Sequence, residues 1–252
     1  MTTEVFNRYE NKYFISEIAL NRILSEIEQH MEPDKFNRGR KTYSISNIYY
    51  DTADDYLIRT SLAKPKYKEK LRLRAYGVPD KNGMAFLEMK KKCVGLVNKR
   101  RTRIPLQDGY RFVTDGEITN LSEGMNPQVS REISCMIRRY GSLEPKVMIA
   151  YDRLAFFETG NFDLRVSFDT NIRSRRENLK LEKGNYGSLF IPKGIWLMEI
   201  KTANAVPLWL TAILSREGIY KTSFSKYGCE YKNYTLNFKE NYFYAKEDHY
   251  HA

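Results

Sequence analysis

Residues 66–76 read KYKEKLRLRAY. Along an extended chain successive side chains point to opposite faces, so Lys66, Lys68, Lys70, Arg72 and Arg74 share one face of this stretch. Tyr67, Leu71, Leu73 and Ala75 share the other, which only Glu69 interrupts. Alternate residues lie about 6.7 Å apart, so each adjacent like-charge pair costs roughly 0.6 kcal/mol in water and about 2–3 kcal/mol at an effective dielectric near 20. A strand keeps such a ladder where an anion offsets it, or where it is a solvated edge whose lysines discourage pairing with other chains. This strand by itself leaves both readings open.

Working outward, the pattern recurs. In FLEMKKK, residues 86–92, Glu88, Lys90 and Lys92 share a face against Leu87 and Met89, and in VNKRRTRI, residues 97–104, Lys99, Arg101 and Arg103 share one. YDRLAFF (151–157) offers Arg153, FDLRVSFD (162–169) offers Arg165 and Asp169, and WLMEIKT (196–202) sets Glu199 and Lys201 among Leu197, Met198 and Ile200. RYENKYF (8–14) puts Arg8, Glu10 and Lys12 on one face with Phe6, Tyr9 and Tyr13 around it, a pairing common on strands when taken alone. A single edge strand cannot explain so many repetitions. If the apolar face of each strand goes to a shell of helices, the charged faces line a wet interior, which is the geometry of a tunnel.

Strands are expected at 5–14, 43–51, 67–77, 85–92, 97–105, 146–153, 163–170 and 195–201, with few helices between them, and this argues for antiparallel pairing. Three helices are expected outside the sheet. The first, 16–31, has Ser16 as N-cap and Leu20, Ile23, Leu24, Ile27 and Met31 at helical spacing. The second, 129–140, follows Pro127, and the third, 207–217, places Pro207 at the first helical position. No repeat or linker divides the 252 residues, so one domain is expected over 1–252, with a core over 5–235 and a frayed tail over 238–252.

The 42 lysines and arginines outnumber the 31 acids by a net charge of +11, which favours a polyanionic partner without choosing among nucleic acid, an anionic membrane surface and a phosphate-rich small molecule. Cys93, Cys135 and Cys229 are odd in number and in no CxxC spacing, which argues against a disulfide framework or a thiolate zinc site and suits a reducing cytosol. The opening MTTEVFNRYE lacks an apolar core, and no stretch approaches the roughly 20 apolar residues of a membrane span, so a soluble, cytoplasmic protein without a transmembrane segment is expected. His30, His249 and His251 lie outside the charged strands, and neither a Gly-x-Ser-x-Gly elbow nor a Walker glycine loop is present.

Taken in order, RYENKYF, SNIYYDT, KEKLRLRAYG, FLEMK, NKRR, YDRLAF, LRVSFDT, MEIKT and FSKYG resemble the VTC domain family of polyphosphate polymerases, within the triphosphate tunnel superfamily, from about residue 5 to residue 232. The resemblance implies an α+β fold, an antiparallel eight-stranded β-barrel forming a tunnel with helices packed outside. It implies Arg72, Arg74, Lys90, Arg153 and Lys226 as catalytic cations, Lys12, Lys70, Lys99, Arg101, Arg165 and Lys201 as phosphate ligands, and Glu199 as the ligand of Mn2+ or Mg2+. The implied activity is polymerisation of polyphosphate from the γ-phosphate of ATP, with ATP, polyphosphate, pyrophosphate or triphosphate as ligands, no specific nucleic acid, and room for a membrane-protein partner. One departure is visible: Ser223 stands where family polymerases carry a lysine three residues before that of FSK, and Lys221 is the nearby candidate to replace it. Rival readings are a tripolyphosphatase or nucleoside triphosphatase on the same fold, and a non-catalytic binder of polyphosphate or RNA that uses the aromatics of KTYSISNIYY as stacking platforms.

Overall fold

The structure, a computed structural model, describes residues 5–37, 39, 41–94, 96–117, 122, 124–158 and 160–235; for residues 5–8 and 161–163 it describes the backbone alone. The tail expected over 238–252 lies outside the described residues. The chain begins with β1 (Val5–Ser16), α1 (Glu17–His30), β2 (Met31–Pro33), β3 (Tyr43–Asp51) and α2 (Tyr56–Leu62). It continues through β4 (Tyr67–Tyr76), β5 (Met84–Cys93), β6 (Leu96–Pro105), α3 (Leu106–Asp115), α4 (Pro127–Tyr140), β7 (Glu144–Glu158) and β8 (Asn161–Arg175). It closes with β9 (Ser188–Leu189), β10 (Ile195–Thr202), α5 (Leu208–Arg216), β11 (Lys221–Thr222) and α6 (Lys226–Thr235).

All eight expected strands form, and every pairing whose register is described is antiparallel. Both β7 and β8 run to 15 residues, longer than their apolar alternation suggests. The Ser16 hydroxyl accepts the Ala19 N–H at 3.1 Å and caps α1 as expected. Pro207 stands one residue outside α5 rather than at its first position: its backbone is extended, and its carbonyl accepts the N–H groups of Leu210 and Thr211 at 3.1 and 3.0 Å. Three helices were not expected. Of these, α2 is held from a distance, the carboxylate of Asp51 accepting the N–H groups of Leu57 and Ile58 at 2.7 and 2.9 Å. The buried stripe of α3, Leu106, Gly109, Phe112 and Val113, is diluted by a glycine, and α6 opens within the FSKYG motif.

The chain forms two compact units, each drawn from three separate stretches. One comprises the described residues within 5–7, 45–150 and 174–187. In it β3, β4, β5 and β6 pair in sequence order, with Leu71 opposite Met89 and Leu73 opposite Leu87. These fully buried residues pack with Phe112, Val113, Ile133, Met136 and Ile137 of α3 and α4 in one apolar cluster. Glu69, on the same face, is 2% exposed and is answered there: the hydroxyls of Tyr67 and Tyr140 and the guanidinium of Arg139 all donate to its carboxylate.

The other unit comprises the described residues within 8–44, 151–173 and 188–235. Here β1 pairs β10, β10 pairs β8 and β2 pairs β7. Tyr13, Ile15, Leu154, Phe156, Val166, Phe168, Met198 and Ile200 turn one face of these strands into a core shared with Leu20, Ile23, Leu24 and Ile27 of α1 and Leu210, Ile213 and Leu214 of α5. In both units the same strands therefore give one face to helices and keep their alternate residues for charge.

That division of faces is testable on one strand and its neighbour. Leu73→Ala, which opens a cavity in the first unit's core, is expected to lower the unfolding free energy by about 2–5 kcal/mol in urea denaturation. Lys92→Gln, at an exposed position of β5, is expected to change it by no more than about 0.5 kcal/mol.

Candidate functional site

In the first unit the charged face is built in rows across paired strands. Tyr49, Arg72, Glu88 and Arg101 stand opposite one another in turn, Asn47, Arg74, Phe86 and Arg103 form the next row, and Lys70, Lys90 and Lys99 the row on the other side. Glu88 is 1% exposed and is the hub: Arg72 donates to it from Nε and Nη2 at 2.8 and 2.7 Å, and Lys99 Nζ lies 2.5 Å from its other oxygen. Arg74 Nε sits 3.7 Å from the carboxylate and donates to Asn47 Oδ1 at 2.7 Å, while Arg72 Nη1 donates to the Tyr49 hydroxyl at 3.1 Å. Arg101 lies over the Phe86 ring at 4.9 Å. Burial alone would raise the pKa of Glu88; Arg74, Lys99 and Arg72 hold it well below the usual carboxylate range. Burial pushes Lys99 well below the ordinary lysine value, and the repulsion of Arg74 and Arg72 adds to this against the pull of Glu88. Three cations converge on one carboxylate, so this face keeps an excess of positive charge.

The second unit repeats the arrangement with other residues. The Glu199 carboxylate, 5% exposed, has Lys201 at 2.8 Å, Lys226 at 3.2 Å, and Lys12 and Arg153 each at 3.6 Å. Asp169 has no exposed surface; Arg153 grips it through Nε and Nη2 at 2.6 and 2.7 Å, and Lys226 donates at 2.6 Å. The Tyr151 ring lies 5.2 Å from the Arg153 guanidinium carbon and 4.5 Å from Lys226 Nζ. Lys12 pairs with Glu10 at 3.1 Å and donates to the Phe224 carbonyl at 3.0 Å. Arg165, opposite Lys201 across the strands, lies over the Phe157 ring at 4.7 Å and 3.5 Å from Asp34.

The electrostatics follow from burial against pairing. Burial would raise the Glu199 and Asp169 pKa values, yet surrounding cations hold both down, Glu199 well below the usual range. Burial lowers the Arg153 and Lys226 values, but Asp169, Tyr151 and Glu199 together outweigh it and both end above their ordinary values. Lys201 goes the other way: burial outweighs Glu199 and Glu10 and brings its ammonium down to about 8.

The sequence-derived set thus falls into two clusters. Arg72, Arg74 and Lys99 meet at Glu88, with Lys70, Lys90 and Arg101 in the same or the adjoining row. Lys12, Arg153, Lys201 and Lys226 meet at Glu199, with Arg165 one row away. The reading missed Asn47, Tyr49 and Tyr151 as supports, although the first two fall at alternate positions in SNIYYDT, and it did not see that Asp169 and Glu88 anchor the cations. It also looked to Lys221 to replace the lysine missing at Ser223. Lys221 stands opposite Tyr13 in the β1–β11 pair, and Tyr13 belongs to the apolar face, so Lys221 points away from the Lys12 side.

The VTC domain model matches residues 7–234. Subunit 4 of the vacuolar transporter chaperone complex of Schizosaccharomyces pombe is 26% identical over 206 residues, covering 73% of this chain; the chain spans just 28% of that relative's length. Among solved structures, a Hippeastrum protein provisionally named an adenylyl cyclase and described as having a dominant triphosphatase activity superposes with a TM-score of 0.55 at 17% identity, covering 90% of this chain and 96% of that one. A provisionally named adenylate cyclase of Bacillus halodurans gives 0.53 at 13% identity, covering 88% and 96%. These likenesses show a shared fold, the antiparallel triphosphate tunnel architecture expected from the sequence.

Two outcomes follow from the second cluster. Asp169→Asn takes from the buried Arg153 and Lys226 the carboxylate they grip most closely and leaves them Glu199 at 3.6 and 3.2 Å, so calorimetry is expected to show destabilisation by about 3 kcal/mol, the lower end for a broken buried pair. Affinity for inorganic triphosphate, titrated calorimetrically, is expected to fall as pH rises through about 8, where Lys201 loses its proton, and Lys201→Arg is expected to flatten that fall.

Proposed function

The chain belongs to the VTC domain family, and on that footing we propose that it is a metal-dependent phosphoryl transferase that lengthens polyphosphate with the γ-phosphate of ATP. The observation that carries this reading is the pre-positioning of cations. Arg72, Arg74 and Lys99 converge on Glu88, and Lys12, Arg153, Lys201 and Lys226 converge on Glu199 and Asp169, each set with more positive than negative charge. Phosphoryl transfer asks a protein for in-line positioning and for neutralisation of charge on the transferring group, not for covalent chemistry. In this reading Arg72 and Arg74 in one unit and Arg153 in the other hold non-bridging oxygens through planar forks, and Lys90 and Lys226, each in its own unit, act as point charges on phosphate. Lys12, Lys70, Lys99, Arg101, Arg165 and Lys201 hold the remaining phosphates. A bound phosphate also restores the proton affinity that Lys99 and Lys201 lose to burial.

Glu199 would give a hard divalent ion such as Mg2+ or Mn2+ one carboxylate, the rest of its shell coming from phosphate oxygens and water, once Lys201 and Lys226, which hold its two oxygens at 2.8 and 3.2 Å, make way. Among the described residues there is no cluster of three or more histidine, cysteine or acidic side chains that would make a closed cage, and such an ion does not need one. When bound, it would neutralise charge on neighbouring phosphates. The three free cysteines suit a reducing cytoplasm.

A hydrolase, in which water replaces the chain end as acceptor, is the second reading, and one observation favours it: with Ser223 in a lysine position and Lys221 turned to the other face, the acceptor loses a cation. The test is to incubate the protein with ATP and Mn2+ and to resolve products on a gel beside a free-phosphate assay. A ladder that falls roughly 10²–10³-fold in Arg72→Ala and is lost in Glu199→Gln is the expected result. Free phosphate without a ladder selects the hydrolase, and neither product overturns both.

A further inference from the structure

We infer that the tip of the hairpin joining β5 to β6, together with the start of β4 beside it, docks on an anionic lipid surface. The phosphoryl-transfer reading takes Lys90, Lys99 and Arg101 of this hairpin and leaves Lys64, Lys66, Lys68 and Lys92 unassigned. Residues 89–101 hold six lysines and arginines and no acidic residue, and residues 63–68 add Lys64, Lys66 and Lys68, again without an acid. The two stretches are tied together, since the Val94 N–H donates to the Lys66 carbonyl at 2.8 Å and Lys68 stands directly opposite Lys92. Lys68 is close enough to Lys92, Lys64 and Lys90 for their repulsion to add to burial in lowering its pKa. Glu132 answers Lys91 and Arg100 at 3.5 and 3.4 Å. It does not reduce the case for Lys64, Lys66, Lys68 and Lys92, on which the argument rests.

Charge alone fits any polyanion; the apolar residues among the lysines decide the class. Val94 is 78% exposed, Leu96 42% and Tyr67 43%, and all three stand at this end of the strands. A phosphate chain has no use for an exposed valine and leucine, whereas the boundary between headgroups and acyl chains accepts them while lysines engage the phosphates above. Val94 also holds a φ of 45°, a left-handed conformation costly for a β-branched side chain, so an ordinary turn would favour another residue there. A strained, exposed valine bonded to the Lys66 backbone and two residues from Lys92 is a poor solvent-facing turn and a good interfacial one.

The test is co-sedimentation of the purified chain with phosphatidylcholine vesicles and with mixed phosphatidylglycerol–phosphatidylcholine vesicles. Binding is expected to the mixed vesicles only, and to persist with excess inorganic triphosphate at matched ionic strength. Lys66→Gln and Lys92→Gln are each expected to weaken it about fivefold. The double variant Val94→Ser, Leu96→Ser, which keeps the charge, is expected to weaken it at least about tenfold. Failure to bind the mixed vesicles, full competition by triphosphate, or binding unchanged in the double variant would overturn the inference. RNA retention that falls with the same substitutions while vesicle binding stays constant would overturn it in favour of nucleic acid.

Discussion

Asp169, with no exposed surface, takes a bidentate arginine and a lysine at once. Much of the second unit's charged face depends on that arrangement. A buried cation costs several kcal/mol in desolvation unless a counter-charge stands within hydrogen-bonding distance. A strand that must expose arginine and lysine to a ligand, and yet hold them in place before the ligand arrives, therefore needs carboxylates in the same face. Glu88 does this in one unit, and Asp169 and Glu199 do it in the other. The carboxylates are fewer than the cations, so the face is ordered without being neutral. Anchors of this kind explain why acids recur in a basic pattern that would bind phosphate more strongly without them.

The strand faces were legible because a period of two is unambiguous wherever long runs alternate. KYKEKLRLRAY sorted its arginines from its leucines correctly, and the registers across β4, β5 and β6 put the sorted residues in line. What alternation could not give was partnership. Which carboxylate meets which cation depends on the meeting of elements distant in sequence, as with Lys226 and Asp169 or Lys12 and Glu199. Helices nucleated from outside were hidden for the same reason: α2 is seven residues long and has its N-terminal N–H groups satisfied by Asp51, a residue of the preceding strand. At the Lys221 position the resemblance was read without a register, and two paired residues were enough to turn that side chain to the other face.

The family and the fold rest on different supports. The family model covers nearly the whole described chain, whereas the solved structures share architecture at identities too low to carry chemistry. What chemistry there is comes from the clusters themselves. Both are basic, both are organised by buried acids, and in each one lysine is depressed by burial so that its charge is sensitive to what lies beside it. Such a lysine is a responsive element: it is cheap to leave neutral when nothing is bound and gains a proton when an anion arrives.

Glu69 has a consequence of another kind. It is the one acid on the apolar face of β4, and its side chain is enclosed by Tyr67, Tyr140 and Arg139. A strand with a simple two-fold pattern can slide along its neighbours by two residues and still present apolar groups to the core. Sliding β4 by two would carry Glu69 away from Tyr140 and Arg139 of α4 and bury an unanswered carboxylate among leucines. A single misfit residue thus forbids the nearest wrong alignment, and through it decides which arginine of the ladder stands opposite Glu88.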